Sequence, residues 1–433
     1  MKKGFLMMAA MLVALGAHAQ KQWTLKDCID YAMQNNITLK QAVLQKQSAT
    51  EDRKQSKAAL LPSLTATTNQ SLGYSPWMEG VDVKKGSYSG TYGINAQWTV
   101  WNGGQNTNAL KQNTLTEQQA ELTAQETANN IQERIAQLYV QILYMNEAIE
   151  VNRQSLEASK KNEERGKTML EVGKMSKADL AQLTAQRATD EYNLVNAQSN
   201  LADYKLQLKQ LLEITGEGFD IAMPQASDEQ ALADIPSLQG VYETALLTRP
   251  EVKYQELAIS KSELQIKSAK AGYLPTVSMT GGVGTSTSSR NDNAWGSQMK
   301  TNFDMTVGLG VSVPLIDGRK NKTAVNKAKI QREQALLNQQ DARKELYATV
   351  EGFWLDAQSN QQKFRAAQVS VESEQQSYDL LSEQFQLGLK NIVELMNGKT
   401  NLLKAQQNKL QSKYTTILNI QLLKFYQGEN ITL

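Results

Sequence analysis

Apolar residues recur along this chain with two periods, and the two alternate. From Ser87 to Trp101 the period is two. Tyr88, Tyr92, Ile94, Ala96, Trp98 and Val100 take one side, and Ser87, Ser89, Thr91, Asn95, Gln97 and Thr99 take the other. The same alternation returns with Phe303, Met305, Val307, Leu309, Val311, Val313 and Leu315 against Asn302, Asp304, Thr306, Gly308, Gly310 and Ser312. Shorter runs precede each: Leu64, Ala66, Leu72 and Tyr74, then Val277, Met279 and Val283. Side chains alternate across a strand. The spacing therefore predicts four strands, about 62–75, 87–101, 275–287 and 301–315, each with one apolar and one polar face.

Between the strand pairs the period lengthens. Ile131, Ile135, Leu138, Ile142, Met145, Ile149, Asn152 and Leu156 step by four and three, as do Leu346, Val350, Phe353, Ala357, Asn360, Phe364, Ala367 and Val371. A returning seam runs through Leu180, Leu183, Leu194, Ala197, Leu201, Tyr204, Leu208 and Leu211, interrupted by Arg187 and Asp190. These are coiled-coil seams for antiparallel helix pairs over about 104–213 and 318–427. Gly104 to Gly173 holds no proline, so one such helix would be on the order of 100 Å long at the ordinary rise per residue.

The pattern occurs twice. Leu61-Pro62 returns as Leu274-Pro275, Asn102-Gly103 as Asp317-Gly318, and Glu171-Val172-Gly173 as Gln386-Leu387-Gly388. Such self-similarity marks an internal repeat. The expected division is a first repeat over 20–215, a linker over 216–236 rich in Gly, Pro and acids, and a second repeat over 237–433.

The strands are too long for an ordinary soluble sheet, whose strands average about 5–6 residues, and they suit a tilted bilayer crossing of about 9–11. Aromatic residues lie toward both ends, Tyr74, Trp77, Tyr88 and Tyr92 at one and Trp98 and Trp101 at the other, as interfacial girdles require. Four strands cannot close a barrel, and lipid does not tolerate an open edge. Two copies would give eight strands with a filled interior. Three would give twelve with room for an opening, which the small polar inward residues favour. The expectation is an α+β membrane protein: a homotrimer sharing one twelve-stranded β-barrel, four strands per chain, continued by a long α-helical barrel.

Composition narrows the function. Met1-Lys2-Lys3, the uncharged run Gly4 to Gly16 and Ala17-His18-Ala19 read as a signal peptide over 1–19. Its removal leaves equal numbers of basic and acidic residues and no histidine. A neutral exported chain is a poor nucleic-acid binder, and a chain without histidine cannot build a Ser-His-Asp or Cys-His nucleophile. The single cysteine, Cys28, excludes a disulfide framework and a cysteine zinc site. Gly308-Leu309-Gly310 lacks the third glycine of a dinucleotide loop, and Gly281-Gly282-Val283-Gly284 reads as a flexible strand end. No enzyme, cofactor or metal is implied. A soluble alternative is a non-transporting trimeric coiled-coil scaffold or surface protein.

At this point the chain resembles the TolC-like outer-membrane efflux proteins. The resemblance is carried by Leu25-Lys26-Asp27-Cys28-Ile29-Asp30-Tyr31-Ala32-Met33-Gln34-Asn35-Asn36, the strand starts at Leu61 and Leu274, Pro314-Leu315-Ile316-Asp317-Gly318, and the turns Val172-Gly173 and Leu387-Gly388, in duplicated order over the whole mature length. Trp98-Thr99-Val100-Trp101-Asn102-Gly103-Gly104 departs from the family's Pro-Leu-Phe form but keeps the glycine pair. The resemblance implies an exit duct in the outer membrane of a Gram-negative bacterium with a large periplasmic part. It would serve efflux or type I secretion with a periplasmic adaptor (membrane fusion) protein and an inner-membrane pump of resistance-nodulation-division or ABC type. It implies a pore constriction at Glu394 and Asn397, the latter replacing a second acid. It further implies a closed-state latch of Lys390, Asp179 and Phe385, and adaptor contacts at Gly173, Lys174, Gly388 and Leu389.

Overall fold

The computed structural model describes residues 22–80, 84–216 and 218–432; the basic head, apolar run and cleavage site of 1–19 lie outside them. In chain order the elements are β1 (Gln22–Trp23), α1 (Leu25–Asn35), α2 (Ile37–Ala58), β2 (Ser63–Tyr74), β3 (Gly86–Trp101), α3 (Gln105–Glu171), α4 (Lys177–Leu211), β4 (Asp220–Ile221), α5 (Asp228–Ala231), α6 (Leu238–Thr248), α7 (Pro250–Ala271), β5 (Thr276–Ser288), α8 (Trp295–Thr301), β6 (Asp304–Ser312), α9 (Lys320–Gln386) and α10 (Ile392–Tyr426). Helices of equal length recur in order. α3 and α9 each have 67 residues, α4 and α10 each 35, α2 and α7 each 22, and α1 and α6 each 11.

The chain forms two compact units. One comprises Ala42–Thr123 and Lys253–Asp341 and holds the large sheet. Its four strands run antiparallel in the order β2-β3-β5-β6, so β2 and β6 are edges with no partner strand among the described residues. β6 is shorter than the expected 301–315. Pro314 has no N–H for the ladder, and the residues before Asn302 wind into α8 instead. There Gln298 accepts from the Ser288 N–H (2.7 Å) and donates to the Asn291 and Asn293 carbonyls, which fastens α8 to the end of β5.

The other unit, Met1–Gln41, Ala124–Val252 and Ala342–Leu433, is helical apart from β1, β4 and the loops among its described residues. Its core takes Cys28 and Ala32 from α1, Ile135, Leu138 and Ile142 from α3, Leu208 from α4, Val241 and Ala245 from α6, and Leu422 and Leu423 from α10. The heptad seams therefore do face inward, and Cys28 is a fully buried core thiol. Thr24 caps α1 in a reciprocal box with Asp27, which fixes where the chain enters this core.

Of the stretch 216–236, expected as a linker, residues 218–236 lie in this unit. Asp220–Ile221 pairs in parallel with Gln22–Trp23, and Ile221 and Ala231 are fully buried. Gln361 of α9 donates to the Ala231 and Ala233 carbonyls, and Asp228 receives Lys409 (3.2 Å), Lys413 (3.4 Å) and Gln368 (3.1 Å). Burial alone would push Asp228 up, but Lys409, Gln368 and Lys413 together hold its carboxyl below the ordinary aspartate value. A carboxyl depressed in the folded state contributes stability that is present above its unfolded pKa and lost on acidification. Asp228 is partly exposed, so the effect is local and modest. Hydrogen-exchange protection over 226–233, corrected for intrinsic rates, should fall as pH drops below about 4. Asp228→Asn should show the same loss at neutral pH; protection unchanged in both would refute this role for the ion cluster.

Candidate functional site

The sheet's register sorts its side chains by polarity across all four strands. Leu64, Ala96, Gly281 and Val307 lie in one row, and Ala66, Ile94, Val283 and Met305 in the next but one. Between them runs Thr65, Asn95, Gly282 and Thr306, on the opposite face. Apolar rows therefore stack on one face and polar rows on the other. The apolar face is bare: Val307 is 79% exposed and Leu309 71%. Gly281-Gly282-Val283-Gly284 is not a strand end but mid-strand, paired on both sides. A Cβ on Gly282 would meet Asn95 Oδ1 at 3.0 Å, so glycine there leaves room for polar side chains on the wet face.

Sequence parity alone would put Trp101 on the polar side. A bulge between Thr99 and Trp101 sets Trp101 opposite Val277 instead, among the apolar residues. Trp98 Nε1 donates to the Leu60 carbonyl (2.9 Å), and Tyr92 meets Trp295 edge-to-face. The Tyr88 hydroxyl donates to Gln70, while Tyr74 and Trp77 are exposed beside the β2–β3 loop. Tyr92 and Trp98 are separated by about 20 Å of strand, and apolar rows fill the interval.

The helical unit carries the second set of residues, at the turns of the α3–α4 and α9–α10 hairpins. Both turns are built alike. Gly173 (φ +70°) and Gly388 (φ +73°) take the left-handed conformation, in which a Cβ is unfavourable. Lys174 N–H bonds back to Met169 and Gly173 N–H to Leu170; Leu389 and Gly388 repeat this on Gln384 and Phe385. Ser176 and Asn391 then cap the returning helices. Val172, Leu387, Leu389 and Val393 are left exposed around the turns.

Inside the tips, Leu183, Phe385, Ile392 and Leu395 form a separate small core, flanked by Met169, Met175, Tyr378 and Met396. The two hairpins close on opposite small–large pairs. Gly166 of α3 faces Leu183 of α4, whereas Leu381 of α9 faces Gly398 of α10.

Of the residues expected as a latch, Lys390 and Asp179 each have a local partner. Lys390 Nζ, in the turn just before α10, donates to Glu394 Oε1 at 2.6 Å in the helix's first turn, and the Asn391 N–H adds a second donor. Lys390 foremost, then Asn391, holds the Glu394 carboxyl below its ordinary value, so it is ionised at neutral pH. Asp179 accepts from the Ser176 hydroxyl (2.8 Å) at the start of α4. Neighbours three or four residues away at the helix starts satisfy each charge at small entropic cost, and no ion pair joins Lys390 to Asp179 among the described residues. Phe385 is buried in the tip core and has no polar role there. Asn397 is exposed on the side of α10 away from that core.

Sequence reasoning treated Arg187 and Asp190 as interruptions of a seam. The structure makes both of them ion-pair centres. Arg187 bridges Glu163 (2.8 Å) and Glu191 (2.7 Å). Asp190 is almost wholly buried, where it accepts from Lys399 and Ser159, with Gln186 on its other oxygen (3.2 Å). Lys399 and Ser159 escaped the sequence analysis.

A four-stranded sheet with one bare apolar face and two long antiparallel helical hairpins are the elements of the TolC-type outer membrane efflux proteins. The family model described as outer membrane efflux protein matches residues 28–213 and again 241–428, and the chain belongs to that family. It is 22% identical over 249 residues to the outer membrane efflux protein BepC of Brucella suis, covering 58% of this chain and 52% of BepC. It is 24% identical over 255 residues to the outer membrane protein TolC of Escherichia coli, covering 57% and 51%. The chain thus spans about half the length of these curated relatives in the matched stretches. Its fold is similar to the CmeC outer membrane channel of Campylobacter jejuni, with a TM-score of 0.80 at 18% identity over 94% of this chain and 87% of that one.

Proposed function

We propose that three copies of the chain close into one twelve-stranded barrel in the outer membrane, forming the passive exit duct of an efflux or secretion assembly. One observation carries this reading. A single chain presents a sheet with two open edges and one continuous apolar face, and lipid plus neighbouring copies would satisfy both. The polar rows of Ser, Thr, Gly and Asn would then face a wet lumen. Glu394 and Asn397 line the constriction near the hairpin tips, where an ionised carboxylate from each copy would favour cations over anions. The exposed Val172, Leu387, Leu389 and Val393 around Gly173, Lys174 and Gly388 offer the surface for a periplasmic adaptor, which couples the duct to an inner-membrane pump of resistance-nodulation-division or ABC type.

The test is fractionation followed by planar-bilayer recording. The protein should appear in outer membranes as a heat-modifiable oligomer and conduct ions, and Glu394→Gln should reduce the cation preference read from the reversal potential. A monodisperse monomer in detergent-free buffer would refute the duct, and a soluble elongated oligomer would favour the scaffold alternative.

A further inference from the structure

The cluster of Lys399, Asp190 and Ser159 has no part in the conduction proposed above. It lies where α10 meets the α3–α4 hairpin, so it joins the second hairpin to the first. All three residues are buried, at most 5% exposed. Gln186 takes the remaining carboxylate oxygen of Asp190, which holds that carboxylate in one orientation on α4.

At about 100° per residue, Lys399 lies about 140° around α10 from Glu394 and about 160° from Asn397. Burial agrees: Ile392, Leu395 and Lys399 are buried and Asn397 is exposed. Lys399 therefore grips the back of the helical turns whose front carries the constriction residues. The apolar neighbours cannot do this alone. Hydrophobic burial is non-directional, and Leu395 and Leu402 would remain buried after a small rotation or slide of the helix. A buried ammonium loses its only carboxylate in such a movement, and an unpaired buried charge is strongly disfavoured. Fixing register is the best-attested use of a buried polar pair.

We infer that Lys399 is a positioning residue: seated on Asp190 and Ser159, it fixes the rotation and axial register of α10 and so aims Glu394 and Asn397. The inference rests on the conduction reading only for its electrical readout, so the experiment has two arms. In the first, Asn397→Cys is labelled in liposomes with a membrane-impermeant trimethylammonium-ethyl methanethiosulfonate, with the unaltered protein (buried Cys28 alone) as control. The labelling rate should change several-fold in Lys399→Met and in Asp190→Leu/Lys399→Met, change less in Ser159→Ala, and stay at the Lys399 value in Lys399→Arg. The double variant replaces the pair by apolar groups and keeps the fold, so a wild-type labelling rate in it overturns the inference. In the second arm, Lys399→Met should lose cation preference as Glu394→Gln does. If Glu394→Gln leaves the preference unchanged, the constriction reading fails by itself and the labelling arm still decides the role of Lys399. If Glu394→Gln loses the preference and Lys399→Met keeps it, Lys399 does not aim the ring.

Discussion

Replacing Val307 by lysine will abolish the heat-modifiable, membrane-embedded form of the protein, while the same replacement one residue earlier, at Thr306, will leave it intact. The two positions are adjacent on β6 but belong to different faces. Val307 continues the row of Leu64, Ala96 and Gly281, and Thr306 the row of Thr65, Asn95 and Gly282. Val307 also sits near the middle of the apolar interval between Tyr92 and Trp98, since its row is flanked by those of Met305 and Leu309. A lysine facing lipid near the midplane costs about 2–4 kcal/mol, and every copy in an oligomer would carry it. A lysine on the wet face keeps its hydration and changes only the lumen's charge. The measurement is the unheated band in gel electrophoresis of the outer-membrane fraction, with conductance recorded for whichever variant assembles. Equal assembly of Val307→Lys and Thr306→Lys would mean that the apolar face does not meet lipid, and the duct reading would fall with it.

The sheet was legible because period-two alternation is a property of single strands and survives any tertiary arrangement. The parity change between halves, with even positions apolar around Ile94 and odd ones around Val307, is matched by a register that aligns the two sets. Trp101 shows the limit: a bulge is a two-strand event, and nothing in Trp98-Thr99-Val100-Trp101 marks the skipped pairing. The helix pairs and their turns were equally readable from heptads and from Gly173 and Gly388, whose backbone conformation favours glycine. The burial of Ile221 and Ala231 was not legible, because Gly and Pro report local conformation and not packing, and both residues sit in clusters whose other members lie far away in sequence. At the hairpin tips the missed residue left a signal. Ile392, Leu395, Lys399 and Leu402 step by three, four and three, so a lysine occupies a core position of α10, as Asp190 does on α4. A complementary pair of misplaced charges on two seams is a testable clue to contact that either seam alone does not supply. Within this chain Lys390 and Asp179, expected as a latch, each take a local partner. Lys390 and Glu394 are four residues apart, and this local partner satisfies the charge.

Asp190→Ala will destabilise the helical unit by roughly 3–5 kcal/mol, the usual consequence of leaving a buried charge without its partner. Lys399 has two hydrogen-bond partners, Asp190 and Ser159, and without Asp190 its ammonium keeps only a neutral hydroxyl. The compensating double replacement Asp190→Leu/Lys399→Met removes both charges and fills the space with apolar groups, so its stability should return to the native level or exceed it by about 1–4 kcal/mol. The midpoint of denaturant-induced loss of helix, followed by circular dichroism in detergent, reads both effects, and a double-mutant cycle isolates the coupling. Equal losses in the single and double variants would show that Asp190 acts through packing in α4 and not through Lys399. The combination expected here separates two roles of one ion pair. The hydrophobic pair should restore the strength with which α10 is held, but a non-directional contact should not restore the angle at which it is held. Recovered stability together with altered labelling at position 397 is therefore the signature of a charge pair retained for specificity of arrangement and not for stability.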